Sequence, residues 1–334
     1  MRNRIKANDY LYISGRIHAM ENRLLTRERM ERMLDARTAA EAAKVLTECG
    51  YDEMTALTPA ELERLLAEQR VALFHELRSA APDPKLLDVF RIKYDYHNAK
   101  VLLKAEAMGL SSESLLVDAG RYGTAKLQSD YHADEWGREY AEAFRAAVDE
   151  AKETLSRSGD PQLADFILDR AYFSEMLAAA QGAGSRFLEG YVRLSIDGAN
   201  LRSAVRCARM DKSADFVREV LVPGGNVDCT KVEQAALGAL ALSGLYSHTP
   251  LEQAAKEGEK VLHGGAQTAF EKACDDAVTA YLTQGKKVAF GEHPLIGYLY
   301  ARESELTAIR IILTGKMAGL PAGVIRERLR ESYV

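Results

Sequence analysis

The sequence predicts a nearly all-α protein, and three observations carry that prediction. Apolar residues recur at spacings of three and four along most of the chain, while alternating β-type patterns are few. The chain is rich in Ala, Leu, Glu and Arg, all good helix formers, and has only 8 prolines in 334 residues. One helical segment also occurs three times without gaps. The copies are FRIKYDYHNAKVLLKAEAMGL (Phe90 to Leu110), VRLSIDGANLRSAVRCARMDK (Val192 to Lys212) and YARESELTAIRIILTGKMAGL (Tyr300 to Leu320). Asp95, Asp197 and Glu305 fall at one position, and Lys100, Arg202 and Arg310 five residues later.

The elements follow in order. Tyr10, Ile13, Ile17, Met20 and Leu24 form an apolar stripe on a first helix, with Arg16, Arg23 and Arg27 off it. A second helix runs from Thr26 or Arg27 through Ala36. Thr38 reads as an N-cap with Glu41 completing a capping box, opening a helix that ends at Gly50. Thr58-Pro59-Ala60-Glu61 opens the next, with proline at the first helical position. Within the tripled helix the apolar positions are Ile92, Tyr96, Ala99 and Leu103, then Leu194, Gly198, Leu201 and Val205. In the third copy they are Arg302, Leu306, Ile309 and Leu313, so the stripe fails only at its start.

Breaks precede each copy: Ala81-Pro82-Asp83-Pro84, Gln181 to Ser185, and Gly285 to Pro294. The repeat extends beyond the helix, because LVDAGRYGTAKL (Leu116 to Leu127) aligns with LVPGGNVDCTKV (Leu221 to Val232). Each unit therefore reads as a long helix, a glycine-containing turn and shorter helices. A period near 100 residues exceeds that of small solenoid repeats. It predicts three similar units with pseudo-threefold symmetry, at approximately 1–110, 111–215 and 216–334, which can exchange helices at their borders.

Composition excludes several functions. Apolar residues make up 47% and charged residues 28%, the balance of a globular protein with ample core. The net charge of −5 argues against a nucleic-acid binder, which needs an excess of Lys and Arg. Cys49, Cys207, Cys229 and Cys274 match no zinc spacing and read as reduced cytosolic thiols. The N-terminal stretch Met1 to Met20 has no apolar core of a secretory signal. The most apolar run, Ala235 to Tyr246, is too short to span a bilayer.

No catalytic constellation emerges. Gly315-Lys316 and Gly285-Lys286 lack the other positions of a phosphate-binding loop. The histidines show no helical metal spacing, and Asp134-Glu135 and Asp275-Asp276 read as capping or solvated acids. Neither a catalytic residue, a cofactor nor a metal site is expected. The basic residues of the repeated helices are the candidate site. Arg202, Arg206 and Arg209 share one face, Lys100 and Lys104 occupy positions aligned with the first two, and Arg310 continues the first. Such faces suit docking of an acidic partner. They suit a solvated surface with internal pairs, such as Asp95 with Lys93 or Lys100, at least as well.

The run from Pro294 to Val334 resembles the C-terminus of the C subunit of the V-type and A-type rotary ATPases, called the d subunit in eukaryotic vacuolar enzymes. The matching residues are Gly297-Tyr298, Glu303 or Glu305, Ile309-Arg310-Ile311-Ile312, Gly315-Lys316 and Arg326 through Tyr333. Tyr12, Arg16, Met20-Glu21 and Leu24-Leu25 near the N-terminus, and Asp95, Asn98 and Lys100 in the middle, extend the resemblance over essentially the whole chain. It implies a funnel-shaped, non-catalytic rotor part whose central cavity receives the central stalk subunits D and F. Such a part sits peripherally on the cytoplasmic face of the membrane proteolipid ring and couples ATP turnover to proton or sodium transport. A free-standing all-α scaffold and an enzyme with a diffuse site between units are the alternatives.

Overall fold

A computed structural model describes residues 6–54 and 57–333. Residues 1–5 of the stretch searched for a signal, and Val334 of the C-terminal block, lie outside the described residues. The all-α class holds: the described chain is built of helices joined by turns and loops and contains no strand. It forms two compact units, one from the chain up to Pro84 together with Tyr246 onward, the other from Lys85–Leu245.

The first unit opens with α1 (Leu11–Glu21), α2 (Arg27–Asp35), α3 (Ala39–Lys44) and α4 (Pro59–Ala80). The stripe outruns the helix: Ile13 and Ile17 of α1 are buried and Met20 half-buried, while the buried Tyr10 belongs to the 3-10 turn before α1 and the buried Leu24 lies beyond its end at Glu21. Thr26, Thr38 and Thr58 cap their helices, each hydroxyl accepting the backbone N–H three residues on. The capping box at Thr38 differs from expectation, because Glu41 reaches back to the N–H of Arg37 rather than that of Thr38. The helix expected to run on to Gly50 also tightens. It passes into a 3-10 turn at Val45–Cys49 and closes at Gly50 with φ 86°.

The second unit comprises α5 (Lys85–Met108), α6 (Thr124–Ala133), α7 (Glu142–Ser158), α8 (Pro161–Ala183), α9 (Arg186–Arg209), α10 (Ala214–Val220), α11 (Cys229–Ala236) and α12 (Leu242–Leu245). Its α5, α7 and α8 enclose an aromatic-rich core of Ile92, Tyr96, Leu103, Tyr131, Phe144 and Leu168. The chain then returns to the first unit with α13 (Glu252–Leu262), α14 (Gln267–Thr283), α15 (Glu292–Met317) and α16 (Ala322–Arg328). Helix α15 starts inside the expected break, with Pro294 in its first turn, where a missing N–H costs nothing.

The first unit is built by interleaving the two ends of the chain. Met33, Leu34, Leu46 and Leu62 pack with Leu306, Ile309, Ile312 and Ile325 in one core. The ammonium of Lys316 donates to the carbonyls of Leu34 and Ala36, and Arg326 pairs with Glu31 at 2.7 Å. Two glycines permit the C-terminal segment to pack closely on α15. A Cβ on Gly315 would lie 2.7 Å from Ile325 of α16, and one on Gly297 would run into the Tyr333 hydroxyl.

The three copies of the repeat, on α5, α9 and α15, end identically. Gly109, Asp211 and Gly319 stand at aligned positions with φ of 65°, 48° and 69°. In each, the next residue's N–H returns to a carbonyl five residues back: Leu110 to Ala105, Lys212 to Cys207, Leu320 to Gly315. This is the left-handed glycine cap of a helix C-terminus. Only the second copy places a side chain there, and left-handed backbone costs a non-glycine residue about 1 kcal/mol. Asp211→Gly is therefore expected to raise stability by up to about 1 kcal/mol, read as a higher urea midpoint.

Candidate interaction site

The residues shared by the copies are anchors before they are anything else. Asp95 lies fully buried and accepts from the backbone N–H of Arg121 at 2.7 Å, that of Tyr122 at 3.3 Å, and the Arg121 guanidinium at 2.6 Å. Asp197 does the same for the backbone of Asn226 and Val227 at 2.9 and 3.0 Å. Glu305 takes the backbone N–H of Leu25 at 2.6 Å and the Tyr51 hydroxyl at 2.5 Å, and it pairs with Arg302. Arg302 breaks the apolar stripe of the third copy because it serves this carboxylate, its guanidinium lying over the Tyr51 ring.

Two further residues repeat the same job. Asn98 exchanges both amide hydrogen bonds with the backbone of Val117, at 2.9 Å each, and Asn200 does so with Val222 at 2.8 Å each. Arg91 grips the carbonyls of Ala119 and Gly120, and Arg193 grips that of Gly224 at 2.9 Å. The tripled acid, with Asn and Arg in the first two copies, thus clamps a turn onto the long helix. Hydrogen bonds to a charged group contribute about 1.5–3 kcal/mol each. In the third copy the clamped backbone is Leu25, which comes from the other end of the chain.

Asp95 pairs with Arg121, not with Lys93 or Lys100 as the sequence spacing allowed. Burial pushes its carboxyl up to about 6, against the pull of Arg121 and of the two backbone N–H groups. The folded protein therefore keeps this proton to higher pH than the unfolded chain. The group's contribution to stability is fully present below the ordinary carboxylate range and is lost as pH rises through about 6. Relative to Asp95→Asn, which does not titrate, the native protein is expected to lose on the order of 2 kcal/mol between pH 4 and 7. Urea unfolding of both proteins across that range measures it.

The six basic candidates divide into two groups. Lys100 pairs with Asp169 at 2.6 Å and Lys104 with Asp165 at 2.7 Å, both acids lying on α8. Arg310 forms a two-pronged pair with Glu63 of α4, at 2.7 Å for each bond. These three charges are met by acids of neighbouring helices and strap α5 to α8 and α15 to α4. Arg206 and Arg209 lie exposed in the last turn of α9, beside Met210, which is 54% exposed. Cations there are favoured by the negative end of the helix dipole. Arg202 is half-buried one turn earlier. The structure thus brings Arg202, Arg206 and Arg209 onto one end of one helix and leaves the other three elsewhere.

Sequence reasoning passed over the acids and Asn98 with Asn200 as functional parts of the repeat, although their alignment was the available signal. Among the described residues, no group of three His, Cys, Asp or Glu side chains is placed to hold a metal, and no helix is long and apolar enough to cross a membrane.

Residues 13–328 match the sequence profile of the family described as ATP synthase (C/AC39) subunit. The chain is 24% identical to the C subunit of the V-type sodium ATPase of Enterococcus hirae, over 97% of this chain and 99% of that one. It is 25% identical to the C subunit of the A-type ATP synthase of Methanocaldococcus jannaschii, over 96% of this chain and 86% of that one. With the C subunit of a V-type ATP synthase of Thermus thermophilus it shares 22% identity over 97% of this chain and 99% of that one.

Proposed function

Because the chain belongs to the ATP synthase (C/AC39) subunit family, we propose that it is the non-catalytic central-rotor subunit of a V/A-type ATPase. In this reading it links the central stalk subunits D and F to the membrane proteolipid ring. It thereby couples ATP hydrolysis or synthesis to proton or sodium transport, lying peripherally on the cytoplasmic face. The observation that carries the reading is the family match over residues 13–328. A funnel of three units around a pseudo-threefold axis, at 1–110, 111–215 and 216–334, is part of the same proposal.

Physical reasoning supports a mechanical part. Torque transmission needs an element that yields little, and densely packed helices tied by buried carboxylate clamps have that character. Of the six basic candidates, we assign docking to Arg202, Arg206 and Arg209, which cluster at one helix end beside the exposed Met210.

Assembling the complex from its subunits with and without this chain tests the function. Coupled ion transport is expected only with the chain, whereas ATP hydrolysis by the soluble head persists without it. Equal transport in both preparations would mean that the chain is a scaffold of another kind. Charge reversal to Glu at Arg202, Arg206 and Arg209 together is expected to abolish capture of the stalk or of the ring. Unchanged capture of both removes these residues from the interface.

A further inference from the structure

His18 sits near the C-terminal end of α1 with both ring nitrogens engaged. Nδ1 lies 3.1 Å from Oε2 of Glu21, and Nε2 lies 3.0 Å from the carbonyl oxygen of Ala289. A carboxylate and a carbonyl are both acceptors, and a neutral imidazole can donate from only one nitrogen. Both bonds therefore form together only when the ring carries two protons. We propose that His18 is a proton-operated latch, holding the segment Val288–Gly291 against α1 when doubly protonated and loosening it when neutral.

The surroundings suit a latch. The segment leads directly into α15 and touches α1 a second time, where the Gly291 N–H donates to the Ser14 hydroxyl at 3.3 Å. Val288 and Phe290, at 36% and 40% exposure, give the segment little apolar anchorage of its own. The His18 side chain is 47% exposed, so solvent protons reach it.

The charged groups around α1 leave Glu21 in control of the ring. Lys286, on the 3-10 turn Gln284–Lys287, faces Glu21 and stacks over the Tyr333 ring. Arg16 turns to Glu76 of α4 at 2.6 Å, and Asp83 and Glu292 act on Tyr10. The Ala289 carbonyl and Glu21 both favour the imidazolium and raise its pKa above the ordinary histidine value. A raised folded-state pKa means the latch is fully made below the ordinary value and is lost as pH rises through the shifted one.

The test is an NMR titration of the full chain, with His18→Gln identifying the His18 resonance among the seven histidines. Amide hydrogen exchange at Phe290 and Gly291 is followed in parallel, corrected for intrinsic pH dependence. The expected midpoint for His18 lies above about 6.5. Exchange is expected to rise about tenfold across it in the native protein, as one charge-assisted bond is lost, and to stay flat in His18→Gln. A midpoint at or below the ordinary value overturns the latch. So does exchange that is flat in the native protein, or that rises equally in the variant.

Discussion

Glu305→Ala is expected to destabilise the first unit by about 3–5 kcal/mol, the cost of removing one partner from a buried ion pair. Glu305 is 5% exposed and satisfies three donors: the Leu25 N–H, the Tyr51 hydroxyl and Arg302. Truncation strands all of them out of reach of water. The Arg302 side chain is only 13% exposed, so its charge has no solvent to fall back on. The bond to Leu25 also joins residues 280 apart in sequence, so its loss removes one of the ties between the chain ends that share this core.

Urea unfolding followed by far-UV circular dichroism checks the expectation. Trp136, the single tryptophan, lies in the second unit and reports on that unit separately. Glu305→Asp is expected to fall between the native protein and Glu305→Ala, because its carboxylate retreats by one methylene and cannot hold both Leu25 and Tyr51. A midpoint for Glu305→Ala equal to the native one would dismiss the clamp as a source of stability.

The second large effect is expected at Gly225. Its φ is not in the left-handed region, unlike that of Gly224 at 103°. Close approach explains it instead: a Cβ there would lie closer than 3.0 Å to Oδ1 of Asp197 and 3.3 Å from Ile196. Asp197 cannot move aside without releasing the N–H groups of Asn226 and Val227. Gly225→Ala therefore forces either overlap or broken charge-assisted bonds, and about 2–4 kcal/mol is expected to be lost. Gly198→Ala is the control. A Cβ at that helix position meets only the Arg202 guanidinium at 3.5 Å, an ordinary contact. Alanine is there expected to add up to about 1 kcal/mol through helix propensity. Thermal or urea midpoints moving in opposite directions for the two variants would establish the clamp. Equal shifts would show that it contributes nothing particular.

Much of the fold was legible because its signals are local. The caps at Thr26, Thr38 and Thr58 depend on residues three apart, and the buried Ile13 and Ile17 of α1 on a spacing within one helix. The 3-10 turn at Val45–Cys49 and the early start of α15 were misjudged at element ends, where capping choices differ by little free energy. The candidate site was half legible. Helical spacing put Arg202, Arg206 and Arg209 on one face. It could not reveal that Asp165 and Asp169 of α8, or Glu63 of α4, stand opposite Lys104, Lys100 and Arg310.

By itself, the sequence determined the helical class, the threefold recurrence of the long helix, and the family resemblance confirmed by the match over residues 13–328. Periodicity, capping and repetition are properties of nearby residues, so no third dimension is needed to read them. Only the tertiary structure decided what the recurrent residues do. Asp95, Asp197 and Glu305 look on paper like surface charges on a helix. Burial removes their water, and each must then find its donors in a turn of the chain 26, 29 or 280 residues away.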